Sequence, residues 1–429
     1  ARGYGYADKE NQVLVQPDSL FRIASLSKAI TAVTVMHLVE EGKLSLDQPA
    51  FSLLPDLQPP AGATVDPQLG SITVRHLLQH AGGWDSTQGF DPMFYSPQIV
   101  KELGVPAPAS TEDIIRYMRG QPLQFDPGTR YVYSNFDYAV LGRIIERVTG
   151  MSYEQYVRTS VLAPMGITKM RIGNTLLQGR LPGEVKYYAA GNTASRFPDT
   201  PAAVPWCYGG WYLEAMDANG GWVASAIDYA KFLNAIDGRR GRSYLSPASV
   251  AAMTGRPSVP AWAGSSFWYG LGVWVRPSGS DANWWHSGSL DGTITYQIRT
   301  YHGFVWVVCF NTRPATWTDL TNDIDSGLWR AWLQVTAWPS NDQFVNYPDA
   351  EAQAAAAQPA ITTREGVVNG ATFNRGVVSG SWISLLGVSL SPTTRIWRPD
   401  DIVGGKLPTS LDGVSVKLNG QPAYVYYIS

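Results

Sequence analysis

The sequence predicts an α+β protein, in which an antiparallel sheet is flanked by helices, an all-helical lobe is inserted, and a small all-β segment follows. Three observations support this fold class. Helical periodicity dominates the first half of the chain, short β-type runs joined by tight loops follow it, and an amphipathic helix closes that region. Because helices precede the strands instead of alternating with them, an α+β arrangement follows.

Composition excludes several function classes. Of the 429 residues 45% are hydrophobic and 16% are charged, so a large core can be buried. The net charge of −2 argues against a nucleic-acid or anionic-membrane partner, which usually requires a basic patch. No apolar run approaches the ~18–20 residues of a membrane span. Two cysteines exclude a disulfide scaffold, and scattered histidines without ligand spacing predict neither a metal nor a cofactor.

The pattern divides the chain into three parts. We expect one domain over residues 1–340, with the helical lobe at about 50–225. Residues 341–363 are rich in Ala and Gln and predict a linker. Residues 364–429 are β-like with Gly and Pro turns, and predict a partial β module.

The helices are predicted from apolar periodicity and from glycine stops. The first helix covers residues 25–41, and Gly42 follows it. Further helices are expected at 73–80, 136–148, 153–161, 225–233 and 320–335. Two irregular excursions, 84–111 and the aromatic stretch 186–222, interrupt this pattern and predict lids or cleft walls.

The β-type runs are expected at 269–276, 293–299 and 304–311. Between the first two lies the segment Trp284-Trp285-His286-Ser287-Gly288-Ser289. A glycine in such a segment lets a strand edge approach another backbone closely. A hairpin turn explains the same residues equally well.

Ser25 and Lys28 lie one turn apart at the head of the first predicted helix. A serine hydroxyl needs activation before it attacks a carbonyl, and a lysine whose pKa is lowered by burial can activate it. A solvated Ser-Lys pair at a helix N-terminus is the simpler interpretation when the motif is taken alone.

Tyr133 and Asn135 form a second polar pair just before the helix at 136–148. A tyrosine beside Lys28 could relay a proton to a leaving group, and Asn135 could fix the lysine or bind a substrate amide. A turn residue followed by a helix N-cap is the alternative.

The three motifs are more specific together, in this order and with these elements around them, than any one alone. The chain resembles the serine β-lactamase and penicillin-recognising DD-peptidase superfamily, in its class C β-lactamase-like branch with peptidase and carboxylesterase relatives. The resemblance covers roughly residues 1–337 and extends to the blocks 18–28, 73–83 (TVRHLLQHAGG), 125–135 (FDPGTRYVYSN), 220–233 (GGWVASAIDYAKFL) and 285–293 (WHSGSLDGT).

The resemblance implies a β-lactamase/transpeptidase-like fold with a cleft between sheet and helical lobe. It implies that Ser25 is the nucleophile, Lys28 its base or base partner, and Tyr133 the catalytic tyrosine. The oxyanion hole would be the N–H groups of Ser25 and Ser289. The resemblance also implies that Asn135, His286, Ser287 and Gly288 bind substrate. The irregular aromatic segment adds Trp206, Tyr208 and Trp211 as expected substrate-binding residues of a cleft wall, with core packing as the alternative.

Three departures from the family pattern affect what is expected. His286 replaces a lysine of the third motif, which weakens the case for true β-lactamase activity. The helix and strand that usually precede the first block are not visible. The tail resembles part of an immunoglobulin-like module of secreted soil-bacterial proteins, so we expect a secreted or periplasmic protein although no signal peptide is visible.

These observations predict a serine hydrolase that forms an acyl-enzyme on a small ester, amide or β-lactam. We expect a carboxylesterase with weak β-lactamase activity. A D-amino-acid peptidase, DD-carboxypeptidase or β-lactamase remains open, as does a non-catalytic ligand-binding protein of the same fold. No nucleic acid or membrane span is expected, and a homo-oligomer is compatible with the sequence.

Overall fold

The structure is a computed structural model that describes residues 1–238 and 243–338, Phe344, and short segments between 367 and 428. The chain divides into two compact units, Ala1–Tyr347 and Pro348–Ser429. Most of the linker predicted at 341–363 lies outside the described residues.

Helices build most of the first unit. Those of the described residues are α1 Ser27–Glu40, α2 Val74–Leu78, α3 Ser96–Leu103, α4 Thr111–Met118, α5 Asn135–Thr149, α6 Tyr153–Tyr156, α7 Asp217–Gly220, α8 Ala226–Asp237, α9 Pro247–Thr254 and α10 Trp317–Leu333. Short 3₁₀ turns, among them Ala24–Leu26, Pro67–Ser71 and Pro92–Phe94, connect them.

Strands of the first unit form small pairs and one larger sheet. Their bounds are β1 Tyr6–Asp8, β2 Val13–Leu14, β3 Phe21–Arg22, β4 Arg171–Ile172, β5 Asn192–Ala194, β6 Ala203–Pro205, β7 Trp222–Ala224, β8 Trp268–Tyr269, β9 Trp274–Ser278, β10 Asp281–Leu290, β11 Thr293–Arg299 and β12 Val305–Phe310. The larger sheet is antiparallel in the order β12-β11-β10-β9-β8, and a second sheet has the order β3-β7-β4. The antiparallel sheet with surrounding helices confirms the predicted α+β class.

The second unit contains short antiparallel strands. These are β13 Val367–Asn369, β14 Ile383–Leu385, β15 Arg395–Ile396, β16 Ser410–Leu411, β17 Val414–Leu418, β18 Gln421–Ala423 and β19 Tyr427–Ile428. They agree with the small all-β segment expected here. The immunoglobulin-like character of the segment stays a prediction.

α1 is the central helix of the first unit. Its sequence is apolar on every side, and residues 27–36 are all buried. A helix that is hydrophobic all round needs neighbours on all faces, and α5 and α7 are two of those that cover α1. The first residues of this buried helix are therefore held in a fixed place, and these residues carry the candidate site.

Candidate active site

A strained turn presents Ser25. The chain leaves β3 through Ala24, which is buried with φ of +47°, and then forms the 3₁₀ turn that leads into α1. A non-glycine residue in this left-handed region costs about 1–3 kcal/mol and is found chiefly at functional sites. Ser25 is partly exposed, whereas Ser27 is buried and accepts a hydrogen bond from Trp222 N–H at 3.3 Å. Ser25 therefore offers the accessible hydroxyl.

Lys28 is fully buried one turn beyond Ser25. Its Nζ lies 3.1 Å from Ser25 Oγ, 2.7 Å from Asn135 Oδ1 and 2.8 Å from the carbonyl oxygen of Asn219. Burial lowers the pKa of Lys28 to about 7, partly opposed by the negative charge of Asp91. A substantial fraction of Lys28 is therefore neutral near neutral pH.

The three partners of Lys28 decide where its lone pair lies. A neutral amine has two N–H donors and one lone pair, and two of its partners, Asn135 Oδ1 and the Asn219 carbonyl, can only accept. The hydroxyl of Ser25 is the partner that can also donate. The lone pair of neutral Lys28 is consequently directed at the proton of Ser25, which is the geometry of a general base.

Tyr133 borders both Ser25 and Lys28. Its side chain is hydrogen-bonded to Ser25, and its ring centroid is 4.8 Å from Lys28 Nζ. Burial raises the pKa of Tyr133, so the phenol stays protonated at neutral pH. A neutral phenol in this position is suited to donate a proton to a leaving group.

His80 holds the segment that carries Tyr133. His80 O accepts from Val132 N–H at 2.9 Å, and its Nδ1 accepts from Ser134 N–H at 3.1 Å. The His80 ring packs against the Tyr133 ring at a centroid distance of 4.4 Å. Burial lowers the pKa of His80 well below its ordinary value, so the ring is neutral and Nδ1 remains an acceptor.

Asn135 links Lys28 to a carboxylate that sequence reasoning missed. Ser134 is the N-cap of α5, which makes Asn135 the first helical residue and places its side chain over Lys28. Asn135 Nδ2 donates to Asp91 Oδ2 at 2.6 Å. Desolvation by burial raises the pKa of Asp91, while the bonds from Asn135 and Met93 N–H favour its ionised form.

β10 passes close to the turn that carries Ser25. Its pairing with β9 ends at Trp285–Trp274, so from His286 to Leu290 it pairs with β11 alone among the described strands. A side chain at Gly288 would lie 2.5 Å from Ile23 O, which shows how closely β10 passes the turn before Ser25. Thr295 Oγ1 on β11 also donates to Ile23 O at 2.8 Å.

The 286–289 segment is a strand and not a hairpin turn. Ser287 and Ser289 pair with Tyr296 and Ile294 of β11. Ser289 Oγ accepts from Arg313 Nη1 at 3.3 Å, and Arg313 is also ion-paired with Asp291. The oxyanion hole of Ser25 and Ser289 stays a prediction.

His286, which is expected to bind substrate, has protein partners at both ring nitrogens. It is buried, and its Nδ1–H donates to Ser287 O at 2.6 Å. Its Nε2 lies 3.2 Å from the Tyr269 hydroxyl, which donates to it. Burial and the charge of Lys28 lower the pKa of His286 to about 3, so the ring is neutral and both nitrogens already have partners.

Tyr208 and Trp211, predicted to bind substrate, are instead buried around Arg22. The Arg22 guanidinium lies 5.4 Å from the Tyr208 ring centroid and 5.2 Å from that of Trp211. Cation–π packing around a buried arginine explains these aromatic residues without a substrate. Trp206 is partly exposed in the same 3₁₀ turn, and no contact places it at Ser25 among the described residues.

A different aromatic cluster borders Tyr133. Tyr131 contacts Trp262 and Trp274 at ring-centroid distances of 4.8 and 5.6 Å, and Trp274 stacks on Trp285 at 6.1 Å. Tyr131, Trp274 and Trp285 are partly exposed, and the neighbouring Phe267 is 42% exposed. The partly apolar surface beside the site therefore comes from the 262–285 region and not from 206–211.

Sequence signals for the missed residues were weak. Asp91 precedes Pro92 and caps a 3₁₀ turn, a pattern that predicts a turn and nothing about Lys28. Asn219 contributes a backbone carbonyl, which no side-chain motif can reveal. Among the described residues, no group of three or more His, Cys, Asp and Glu is arranged to hold a metal ion. No helix in the described part of the chain is both long and apolar enough to cross a membrane.

The sequence matches a known family over most of its length. The family model described as Beta-lactamase matches residues 1–325. Penicillin-binding protein 4* of Bacillus subtilis (strain 168) is 31% identical over 190 residues, which are 44% of this chain and 38% of that protein. Esterase EstB of Burkholderia gladioli is 32% identical over 171 residues, 39% of this chain and 42% of the esterase. The matches thus span less than half the length of these curated relatives.

Solved structures share the fold. The octameric penicillin-binding protein homologue from Pyrococcus abyssi has a TM-score of 0.57 at 25% identity, covering 77% of this chain and 70% of that chain. D-amino acid amidase from Ochrobactrum anthropi SV3 has a TM-score of 0.56 at 24% identity, covering 77% and 89%. The likeness to the amidase is one of fold alone.

Proposed function

Because the chain belongs to the Beta-lactamase family of serine hydrolases, we propose that it is a carboxylesterase that works through an acyl-enzyme on Ser25. The observation that carries this proposal is the contact of Lys28 Nζ with Ser25 Oγ at 3.1 Å inside a buried site. A lone pair aimed at a hydroxyl proton is what nucleophilic catalysis by serine requires.

In the first half-reaction Ser25 Oγ attacks the ester carbonyl carbon, and its proton passes to Lys28 Nζ. The C–O bond to the leaving alcohol then breaks, and the alkoxide takes a proton through Tyr133, which regains one from Lys28. In the second half-reaction water attacks the acyl carbon and gives a proton to the Lys28–Tyr133 pair. The bond between the acyl carbon and Ser25 Oγ then breaks, the acid is released, and the pair returns a proton to Ser25. Lys28 and Tyr133 act as one coupled pair, since both contact Ser25.

The charges around the site favour an ester over a substrate with a free carboxylate. His286 is neutral at the third-motif position, because its pKa is about 3. Arg313, which contacts Ser289, has its guanidinium ion-paired with Asp291. Neither His286 nor Arg313 therefore offers an unpaired positive charge to a substrate carboxylate. The partly exposed rings of Tyr131, Trp274 and Trp285 suit an apolar acyl or alcohol group.

The relatives are consistent with this choice. Esterase EstB is named for ester hydrolysis, whereas other relatives are named as penicillin-binding proteins or an amidase. Assays with an ester, a β-lactam and a peptide distinguish these activities. The same assays test the non-catalytic alternative.

The test measures turnover of p-nitrophenyl butyrate, nitrocefin and a D-Ala-D-Ala peptide by the wild-type protein and by Ser25→Ala. We expect hydrolysis of the ester, little of the other two, and loss of activity in the variant. Faster turnover of the peptide or of nitrocefin would replace the esterase assignment by a peptidase or a β-lactamase. Absence of turnover with all three would favour a binding protein.

A further inference from the structure

We propose that Asp91 is a positioning residue, which fixes the side-chain amide of Asn135 and thereby directs the lone pair of Lys28 at Ser25. This inference rests on the proposed function, because it concerns how that nucleophile is activated. Asp91 does not contact Ser25, and it acts through Asn135.

Asp91 is held firmly in place. It is the N-cap of the 3₁₀ turn Pro92–Phe94, where its Oδ1 accepts from Met93 N–H at 3.0 Å. Its other oxygen, Oδ2, accepts from Asn135 Nδ2 at 2.6 Å. A capping residue in a proline-led turn has little freedom, so the second oxygen is presented to Asn135 at a set position.

The hydrogen bonds between Asp91 and Asn135 and between Asn135 and Lys28 fix the orientation of the Asn135 amide. A carboxylate can only accept, so the end of the Asn135 amide that faces Asp91 must be the NH₂ group. The other end of the amide is then Oδ1, which faces Lys28 Nζ at 2.7 Å. Asp91 therefore determines that Asn135 offers Lys28 an acceptor and not a donor.

Reversal of that amide would redirect the base. With NH₂ facing Lys28, the lone pair of the neutral amine would be drawn to Asn135. Lys28 would then offer an N–H to Ser25, and the serine hydroxyl would have lost its proton acceptor. The carboxylate at Asp91 excludes this arrangement, because the reversed amide would place two acceptors, Oδ1 and the carboxylate, against each other.

The pH behaviour of Lys28 depends on all the groups around it. The charge of Asp91 raises the pKa of Lys28, against the larger lowering by burial. Other titratable or polar groups face it from five parts of the fold. They are His80 after α2, Tyr133 before α5, Tyr138 on α5, the carbonyl of Asn219 on α7, and His286 on β10. The two histidines are neutral, because burial lowers the pKa of both.

The decisive variant is Asp91→Asn. The new residue keeps Oδ1 for Met93 N–H, so the cap survives, and places NH₂ against Asn135 Nδ2, which favours reversal of the Asn135 amide. We expect kcat for p-nitrophenyl butyrate to fall about tenfold or more. We also expect the acid limb of kcat/KM to move to lower pH, because the charge that supports protonated Lys28 is gone.

Asp66→Asn is the matched control. Asp66 also precedes a proline and caps a 3₁₀ turn, with Oδ1 accepting from Gln68 N–H at 2.9 Å and Oδ2 from Leu123 N–H at 3.1 Å. We expect this variant to keep the wild-type kcat and acid limb. If Asp91→Asn does not fold, Asp91→Ser retains a capping side chain and removes the acceptor for Asn135, so it replaces Asp91→Asn in the same measurements.

A double variant tests whether the orientation of the amide at residue 135 is what matters. In Asp91→Asn combined with Asn135→Asp, the donor and the acceptor are exchanged, so residue 135 again offers an oxygen to Lys28. We expect a partial recovery of kcat over Asp91→Asn alone, with an acid limb at higher pH than in the single variant, because a carboxylate now adjoins Lys28. No recovery would contradict the proposed role of the amide.

Two readouts separate this inference from the proposed function. The titration of the Lys28 side chain, followed by NMR on protein with labelled lysine, needs no substrate. If the wild type is inactive, the proposed function fails, and a lowered Lys28 pKa in Asp91→Asn still supports the influence of Asp91 on Lys28. If the wild type is active and Asp91→Asn keeps kcat within about twofold, or loses kcat without a shift of the acid limb, Asp91 is only structural and the inference is wrong.

Discussion

Lys28 Nζ lies 3.1 Å from Ser25 Oγ at the buried head of α1. The two residues are three apart in sequence, and the strained Ala24 turn together with the first turn of α1 brings their side chains onto one face. Two further acceptors hold the lysine, and Tyr133 holds the serine, so both side chains are already placed for the reaction. Such pre-organisation lowers the cost of reaching the reactive geometry.

The pH dependence of activity should follow Lys28. Since Lys28 must be neutral to accept the proton of Ser25, kcat/KM should be low in acid and rise through pH about 7, the pKa of this residue. Rates of p-nitrophenyl butyrate hydrolysis over pH 5–9 measure this limb. A kcat/KM that stays constant over this range, as expected if His286 with its pKa of about 3 controlled the reaction, would contradict the role of Lys28.

The same lysine should make stability depend on pH. Its pKa falls from 10.5 in the unfolded chain to about 7 in the folded protein, so between these values the unfolded state binds more protons. The cost of burying Lys28 is present in full below pH 7 and is relieved as pH rises to 10.5. The free energy of unfolding of Lys28→Met, minus that of the wild type, should therefore be greatest below pH 7 and decline above it.

Urea denaturation at a series of pH values measures this difference. Lys43→Met is the control, because the Lys43 side chain is half exposed and forms a surface ion pair with Glu41. A difference for Lys28→Met that stays constant from pH 6 to 10 would show that the folded protein does not shift the pKa of Lys28.

His80 should matter for catalysis through Tyr133. In His80→Leu the acceptor for Ser134 N–H is lost, and we expect kcat to fall by about a hundredfold as Tyr133 is displaced. His80→Asn should retain much more activity, because asparagine offers an oxygen near the position of Nδ1. Asparagine also tolerates the positive φ of +56° at this residue. Equal losses in the two variants would contradict the role of the hydrogen bond.

Gly288 should be intolerant of a side chain. A Cβ there would overlap Thr295 Oγ1 and lie 2.5 Å from Ile23 O, so β10 would have to move away from the turn that carries Ser25. We expect Gly288→Ala to lose activity by at least about tenfold. Gly70→Ala, at a site with no atom within 4 Å of the added Cβ, is the control and should behave as the wild type. Wild-type activity in Gly288→Ala would show that the close approach is not needed.

Local patterns predicted much of the framework. Apolar periodicity and glycine stops predicted helices at 25–41 and 136–148, where the structure has α1 at Ser27–Glu40 and α5 at Asn135–Thr149. The run predicted at 293–299 is β11 without change. These segments bury one face or all faces, and such burial leaves a periodic trace in the sequence.

The parts that could not be predicted depend on tertiary contacts. The excursion at 84–111 has few periodic positions, and α3 at Ser96–Leu103 within it was not predicted. Nothing in this stretch indicated that Asp91 reaches Asn135 across 44 positions. The aromatic residues at 206–211 are compatible with core packing or with a cleft wall, and the partner that distinguishes the two, Arg22, lies far away in the sequence. Likewise nothing in the sequence indicates that the Tyr269 hydroxyl contacts His286 Nε2.

A nucleophilic Ser25 becomes acylated during turnover, and the site of the adduct shows directly whether it does. The protein is mixed with p-nitrophenyl butyrate, quenched in acid within the first turnovers, digested, and analysed by mass spectrometry beside Ser25→Ala and Ser27→Ala. We expect one butyryl group on Ser25 in the wild type and in Ser27→Ala, and none in Ser25→Ala. A butyryl group on another residue, or an unmodified Ser25 in a protein that turns the ester over, would contradict this expectation.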